Sequence, residues 1–457
     1  MVRGFLLPNL TLGRCHMWSR YLRTRERDGI VALFHELHPD PIFCSSERWK
    51  NLVNKIIDNN DRLVGNLRER RLIIDTPEND CNEFEVARTN LEYKLNQSTI
   101  LYLMTAQGCN FGCKYCPVPE LVKKYGESSL SSEDAFAGID LWQKHINDVY
   151  DSSLQYFVIF YGGEPLLNKE TIKDSLGYIR MKKNAGELPA NLNIMIATNG
   201  SLVDDEIITL CREYKVMVTV GLDGPKSSND VLKVDNNGVG TFDRIVSTIK
   251  SLVQNGIRTF ASVSITPSNI NQIAEYSKFF NELGVEKFGF NFLKGRLLLE
   301  LVGQDGLDNY YRNSVRGVIE NARKQNKPNF EYQMEKKRIA FDSKVFFPVD
   351  CTCYGNQLVI QPDGQISNCP FFKAWLGHVR KVDIDFRIWN QPIVKEWRKR
   401  LPLYHSGEAK AVCGGGCAWS SIELKENPLA VDNSSQIFSE EVLNEFIWSQ
   451  YDQSQKA

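Results

Sequence analysis

Cys109, Cys113 and Cys116 stand in the run Thr105-Ala-Gln-Gly-Cys-Asn-Phe-Gly-Cys-Lys-Tyr-Cys116, a C-x3-C-x2-C spacing with Tyr115 just before the last thiol. Three thiolates on so short a loop can each take one iron of a cubane [4Fe–4S] cluster and leave the fourth iron without a protein ligand. An open iron can coordinate a substrate or cofactor, so the spacing points to chemistry at the cluster rather than to electron storage. A structural zinc site is the alternative on spacing alone. Zinc, however, usually takes four ligands in paired C-x2-C or Cys/His spacings, and no histidine lies near this loop. The apolar stretch Thr99-Ile-Leu-Tyr-Leu-Met104 leads into the loop, which therefore sits where a strand ends.

Three more polar segments follow apolar, strand-like runs. Phe157-Val-Ile-Phe-Tyr161 runs into Gly162-Gly163-Glu164-Pro165, Leu192-Asn-Ile-Met-Ile-Ala197 into Thr198-Asn199-Gly200-Ser201, and Val216-Met-Val-Thr-Val220 into Gly221-Leu222-Asp223-Gly224-Pro225. Taken with the cysteine loop, these segments resemble the radical S-adenosylmethionine (SAM) superfamily in type and order. The resemblance implies a [4Fe–4S] cluster on Cys109, Cys113 and Cys116, with SAM on its open iron. It also implies that Gly162, Gly163, Glu164 and Pro165 meet the amino group of SAM's methionine, the glycines letting backbone approach and the carboxylate pairing with the ammonium. Thr198 and Asn199 then lie near SAM's ribose and carboxylate, and Asp223 belongs to the fourth contacting strand. Tyr115 packs by the adenine or anchors the loop. Gly221 stands where the family usually has serine, and Lys233 near a usual arginine. In the family's chemistry a one-electron donor, such as flavodoxin or ferredoxin, reduces the cluster. SAM is then cleaved to methionine and a 5′-deoxyadenosyl radical that takes hydrogen from an unactivated carbon. No general base stands out; Asp223 and Asn291 face the interior by strand position alone.

The elements that must carry these segments alternate strand and helix. Candidate strands cover 99–104, 155–161, 192–197, 216–222, 259–265 and 287–292, with helices at 132–149, 168–182, 204–213, 241–255 and 270–283. Phe242, Ile245, Ile249 and Val253 share one helical face. Such alternation predicts an α/β fold with a parallel sheet. Six units resemble the family's partial (β/α)6 barrel, with the site at the strands' C-terminal ends. The expected organisation is a winged-helix-like domain at 1–95, the barrel at 96–300, a helical bridge at 301–345 and a cysteine-rich extension with a final helix at 346–457.

In the first of these, Gly29-Ile-Val-Ala-Leu-Phe34 reads as a strand, and Ser45 or Ser46 caps a helix with Trp49, Leu52, Val53, Ile56 and Ile57 on one face. A second helix carries Leu63, Val64 and Leu67, and Arg71-Leu-Ile-Ile74 closes the unit. The unit resembles the recognition element at the front of peptide-modifying radical SAM enzymes, which binds a precursor's leader as an added strand. A packing domain without a ligand is the alternative. Residues 1–75 hold 13 Lys and Arg against 9 Asp and Glu, an excess that suits an acidic leader and equally an ordinary solvated surface.

Further on, Cys353, Gly364 and Cys369, then Cys413-Gly-Gly-Gly-Cys417, resemble the SPASM extension, which carries auxiliary [4Fe–4S] clusters in peptide- and protein-modifying members. Asp363-Gly364 makes a hairpin turn that brings Cys353 and Cys369 together. The full pattern also has cysteines where this chain has Tyr404 and Gly407, and another beyond Cys417, where there is none. The resemblance therefore implies one auxiliary cluster on Cys353, Cys369 and Cys417, with Cys351 as fourth ligand and Cys413 as its rival. Four thiolates also suit structural zinc. Cys15, Cys44, Cys81 and Cys211 read as small packing residues.

Two clusters behind a leader-binding unit favour a ribosomally made precursor peptide with a leader as substrate, and a thioether or carbon–carbon side-chain crosslink as product. A sulfatase-maturase-like enzyme, a small-molecule radical SAM dehydrogenase, and a non-catalytic iron–sulfur sensor or peptide-binding subunit are the rivals. Composition, 42% hydrophobic and 24% charged over 457 residues, is that of a soluble globular protein. A net charge of −1 gives no sign of nucleic-acid or membrane partners, and no apolar run reaches the length of a membrane span. Gly4-Phe-Leu-Leu-Pro-Asn-Leu10, broken by Pro8, does not read as a signal peptide, so a cytoplasmic location is expected. The tail should form a helix after Ser439, with Val442, Phe446 and Trp448, and be disordered from Asp452.

Overall fold

Between residues 100 and 292 strand and helix alternate, and the strands lie side by side in chain order. A computed structural model describes residues 17–54, 61–325, 330–343, 350–372, 374–383, 385–401, 412–427, 429–430 and 432–456. Cys15, Tyr404, Gly407 and the segment 4–10 lie outside the described residues. The strands are β1 (Met17–Trp18), β2 (Leu22–Arg27), β3 (Ile30–His35), β4 (His38–Ser45), β5 (Ile73–Ile74), β6 (Ile100–Ala106), β7 (Tyr156–Gly162), β8 (Leu192–Thr198), β9 (Met217–Gly221), β10 (Thr259–Ile265), β11 (Lys287–Phe292), β12 (Gln357–Ile360) and β13 (Ile366–Ser367).

Strands β6 to β11 form a parallel sheet in the order of the sequence. Each of the six predicted strands is present to within two residues at either end. Their side chains alternate. Leu101, Leu103, Val158, Phe160, Val263 and Phe290 are fully buried under the covering helices. The opposite face, with Tyr102, Tyr161, Met195, Thr219, Ser262 and Asn291, is less completely buried and turns away from the covering helices. That alternation is the period-2 pattern of strands with one dry and one wetter face. The predicted helices appear as Ser132–Val149, Lys169–Asn184, Asp205–Tyr214 and Phe242–Gln254; the last predicted one is split into a turn, Ile273–Glu275, and a helix, Tyr276–Glu282.

The cysteine-rich extension begins inside this sheet. β12 pairs in parallel with β6, Gln357 opposite Ile100 and Ile360 opposite Leu103, and the Asp363-Gly364 turn brings β13 back antiparallel. Helices Gly295–Val302, Leu307–Arg323 and Tyr332–Asp342 pack around the barrel end.

The N-terminal unit holds more than the sequence pattern suggests. β2, β3 and β4 form an antiparallel meander, of which only β3 was legible, because the edge strands carry arginines and prolines instead of an apolar alternation. Helix Pro77–Leu95 also escapes a periodicity search, although its Thr76/Asn79 capping box was readable. Cys81 lies exposed on that helix, unlike the small packing residue expected, whereas Cys211 is buried as expected. The tail is ordered beyond the expected limit: helix Asn433–Ser454 continues past Asp452, which pairs with Arg27 while Arg27 lies 4.5 Å over the Trp448 ring. No helix among the described residues is long and apolar enough to cross a membrane.

Candidate active site

The cysteine loop leaves the end of β6 and is held from both sides. On one side Gly163 N donates to Ala106 O and Glu164 N to Gly108 O, each at 2.9 Å. A Cβ on Gly162 would run into Ala106 O, and one on Gly163 into Gly108 O. These glycines thus permit a close backbone approach to the cysteine loop. On the other side Gly112 N donates to Val234 O and Lys114 N to Leu232 O, both at 2.9 Å, and Phe111 bridges Asp235.

Glu164 is fully buried. Its Oε1 accepts from Leu166 N at 3.1 Å and from the Thr198 hydroxyl at 2.6 Å; its Oε2 accepts from Asn199 N at 2.7 Å. Burial pushes its carboxyl up to about 6 against those three donors. The carboxylate thus braces the ends of β7 and β8. Pro165 O accepts from the Thr105 hydroxyl at 3.0 Å, tying the same turn to β6. Asn199 Nδ2 donates to Asn110 Oδ1 at 2.8 Å and reaches Cys109 Sγ at 3.7 Å, while Phe111 N donates to that sulfur at 3.4 Å.

Tyr115 anchors the loop: its hydroxyl donates to Asp223 Oδ2. Asp223, buried at the end of β9, accepts at Oδ1 from Ser264 N at 2.9 Å and lies 3.5 Å from Lys233 Nζ. The Lys233 ammonium is also buried and stands 5.8 Å from the Tyr115 ring centre. A Cβ on Gly221 would come within 3.1 Å of that ammonium. The two departures noted in the sequence thus form one unit, in which the missing side chain at Gly221 makes room for Lys233.

The three loop thiols are half-buried. Burial pushes Cys109 up to about 11 and Cys116 up to about 12, with Cys113 adding to both. Metal binding releases such protons and removes the cost of confining the thiolates. Among the described residues no three His, Cys, Asp or Glu side chains converge as ligands of one ion. A cubane instead takes one thiol per iron, and three soft donors on one braced loop fit that donor set. A cavity of about 600 Å³ opens beside Cys109, lined also by Gly108, Asn110, Glu127 and Leu167.

Aromatic rings lie between this loop and the second cysteine set. The Tyr161 phenol, raised by burial, feels the charge of both Cys116 and Cys369. Its ring lies 5.9 Å from that of Tyr102 and 6.2 Å from that of Phe371, which in turn is 5.6 Å from Trp419. Phe371 and Trp419 each follow a cysteine, Cys369 and Cys417, by two positions.

In the second set the structure groups Cys351, Cys353, Cys369 and Cys417, whose thiolates act on one another. A hydrogen bond from the Cys353 thiol lowers Cys351, whereas burial raises Cys353 and Cys369. Cys413 is not among them; its sulfur faces the Ser435 hydroxyl at 3.8 Å, near Asp350 and Lys337. Sequence reasoning missed the two aspartates that hold the glycine loop between Cys413 and Cys417. Asp350 Oδ2 accepts from Gly414 N and Gly416 N, both at 3.1 Å, and its other oxygen pairs with Lys337. Asp432 Oδ2 accepts from Cys417 N at 3.2 Å and faces Lys294 Nζ at 3.5 Å. Asp432 opens the final helix as its N-cap, a readable signal; Asp350 gives none.

Radical SAM cyclopropyl synthase TigE of Paramaledivibacter caminithermalis is 25% identical over 80% of this chain and 81% of its own. The structure of native anSMEcpe with bound AdoMet and the Cp18Cys peptide shares the fold at 19% identity, with a TM-score of 0.59 over 77% of this chain and 97% of its own. Streptococcus suis SuiB bound to its precursor peptide SuiA is similar over 92% of this chain and 99% of its own, at 16% identity and a TM-score of 0.51. Residues 103–280, with the cysteine loop at the end of their first strand, match the Radical SAM superfamily, and this segment of the chain is a radical SAM domain.

Proposed function

We propose that this protein is a radical SAM enzyme that oxidatively modifies a ribosomally made precursor peptide, forming a thioether or a carbon–carbon side-chain crosslink. The radical SAM domain implies a [4Fe–4S] cluster and SAM as cofactors. Cys109, Cys113 and Cys116 would hold that cluster, and the loop, Asn199 and the backbone of Gly162 to Pro165 would border SAM. Cys351, Cys353, Cys369 and Cys417 would hold one auxiliary cluster. When bound, cluster and SAM together supply reductive cleavage of the sulfonium and, through it, hydrogen abstraction.

The chain's own residues provide position and dryness. Glu164 and Asn199 fix the loop against β8, and the Tyr115–Asp223–Lys233 unit fixes it against β9 and β10. Tyr102, Tyr161 and Tyr332 offer amphipathic rings that suit a peptide side chain and exclude bulk water. The observation that carries the reading is the place of Tyr161 between the two cysteine sets: its ring lies 6.2 Å from that of Phe371, two residues after Cys369, and its phenol feels the charge of both Cys116 and Cys369. A substrate radical formed there lies beside an acceptor for its electron, as an oxidative crosslink requires.

The front unit, proposed as winged-helix-like, supports a leader. β2 pairs with β3 alone, so one of its edges is open among the described residues, whereas the opposite edge strand β4 carries Pro39 and Pro41. An extended leader would add to the β2 edge through main-chain hydrogen bonds. SuiB is a protein solved with its precursor peptide bound, and anSMEcpe one solved with a peptide and AdoMet. A cytoplasmic location and a flavodoxin- or ferredoxin-type donor complete the proposal.

The test is co-expression with a short peptide encoded beside the gene, followed by mass spectrometry. Loss of one hydrogen pair per crosslink is expected, with 5′-deoxyadenosine formed from SAM by the reduced, reconstituted protein. SAM cleavage with an unaltered peptide would instead favour a small-molecule dehydrogenase, and absence of cleavage a non-catalytic sensor.

A further inference from the structure

Arg400 is the most completely enclosed cation near the second cysteine set, with no measurable exposure. Its Nη2 donates to the Ser421 hydroxyl and to Ala430 O, each at 2.9 Å. Its Nε and Nη1 are buried without a hydrogen-bond partner, and no carboxylate among the described residues forms an ion pair with it. A guanidinium keeps its charge at any physiological pH. Burying it unpaired is strongly unfavourable, so an anion must complete the site.

The surroundings identify that anion. Trp397 and Leu401, which flank Arg400 in the chain, pack in one apolar cluster with Cys353, Cys369 and Tyr354. The Ser421 hydroxyl held by Arg400 donates in turn to Cys417 O at 3.3 Å, so the guanidinium braces the helix that begins just after this cysteine. Of the other cations near the nest, Lys294 already faces Asp432, Lys337 pairs with Asp350, and Lys336 is exposed to solvent. Among the described residues, Arg400 is the enclosed cation that brings uncommitted N–H groups to the place where four thiols gather.

We propose that Arg400 is the hydrogen-bonding counter-cation of the four-cysteine nest, donating its free N–H groups to the sulfurs of the iron–sulfur group held there and raising its reduction potential. The assignment rests on the auxiliary cluster of the proposed function. A four-thiolate cubane carries net negative charge that grows on reduction. A fixed donor pair therefore favours the reduced form, since hydrogen bonds to the sulfurs and the burial around them set the potential.

The test uses full-length, anaerobically reconstituted protein in which Cys109, Cys113 and Cys116 are all replaced by alanine, so that only the auxiliary cluster is observed. Its midpoint potential is followed by electron paramagnetic resonance during a redox titration, with and without Arg400→Gln. Arg400→Gln should lower the reduced-to-oxidised ratio at a given potential about tenfold, a shift of about 59 mV for one electron. Arg400→Lys, which keeps the charge and loses the fork, should fall between. An unchanged potential with iron content intact overturns the role of Arg400 alone. Absence of any iron–sulfur signal in the triple-alanine protein overturns the auxiliary cluster and Arg400 with it. If Arg400→Gln fails to fold, nitrogen-15 arginine labelling of the triple-alanine protein replaces it: a coupling to the reduced cluster is expected, and its absence overturns the assignment.

Discussion

The two cysteine regions are built in opposite ways. The first places three half-buried thiols on a loop at a strand end, beside an open cavity, and braces them through backbone contacts from β7 and from residues 232–236. The second gathers four thiols from a hairpin and a glycine loop, with Cys353, Cys369 and their apolar neighbours closed from solvent and buried charges behind them. In the proposed reading, the three accessible thiols would leave one iron open to another molecule, and the four enclosed thiols would hold a cluster that stores charge. The difference lies both in the number of thiols and in what surrounds them.

The comparison can be broken most forcefully at the first region. Cys113→Ala should abolish 5′-deoxyadenosine formation in reduced, reconstituted protein; persistent turnover would remove the distinction altogether. At the second region, Cys369→Ala should leave SAM cleavage in place while iron content falls by about four atoms per chain and peptide crosslinking stops. Loss of SAM cleavage in that variant would show that the regions do not act separately.

The seam between the two regions gives a pH effect. His145, on the helix before β7, has Nδ1 at 2.8 Å from Leu141 O, while its Nε2 accepts from Ile388 N at 3.0 Å, an arrangement that requires the neutral ring. Burial lowers its pKa from 6.5 to about 4. A depressed histidine contributes stability that is present above pH 6.5 and lost as pH falls toward 4, by about 3 kcal/mol over that window. Denaturant unfolding across it should show the loss, and His145→Gln should flatten the slope; an equal slope in the variant assigns the effect elsewhere. Glu164→Gln should cost about 1–3 kcal/mol, because an amide must turn a donor toward one of three existing donors. Thermal unfolding of the variant measures it, and no change would mean the brace is not strained by losing an acceptor. The smallest effect is expected of Cys413→Ser, which should keep its full iron complement, whereas Cys351→Ser should lose the auxiliary cluster. The reverse result would exchange the two cysteines in the nest.

Much of this was legible before any coordinates. The thiol spacing lies within a single loop, and the six barrel strands repeat an apolar period, so local information suffices for both. The Asp363-Gly364 turn is likewise readable, since a tight hairpin depends on adjacent residues. The edge strands β2 and β4 were not, because an edge need not bury both faces and tolerates arginine and proline.

The sequence by itself determined which residue types could ligate iron, their order along the chain, and the alternation that makes a parallel sheet. Only the tertiary structure decided what Gly162, Gly163 and Glu164 touch, that Lys233 fills the space Gly221 leaves, that Cys413 faces Ser435, and that Arg400 stands beside the four-cysteine nest. Each of these joins segments brought together by the sheet and the packing of the extension upon it. Spacing along a chain carries no record of such contacts, because packing across a core is set by shape and charge in three dimensions rather than by any local repeat.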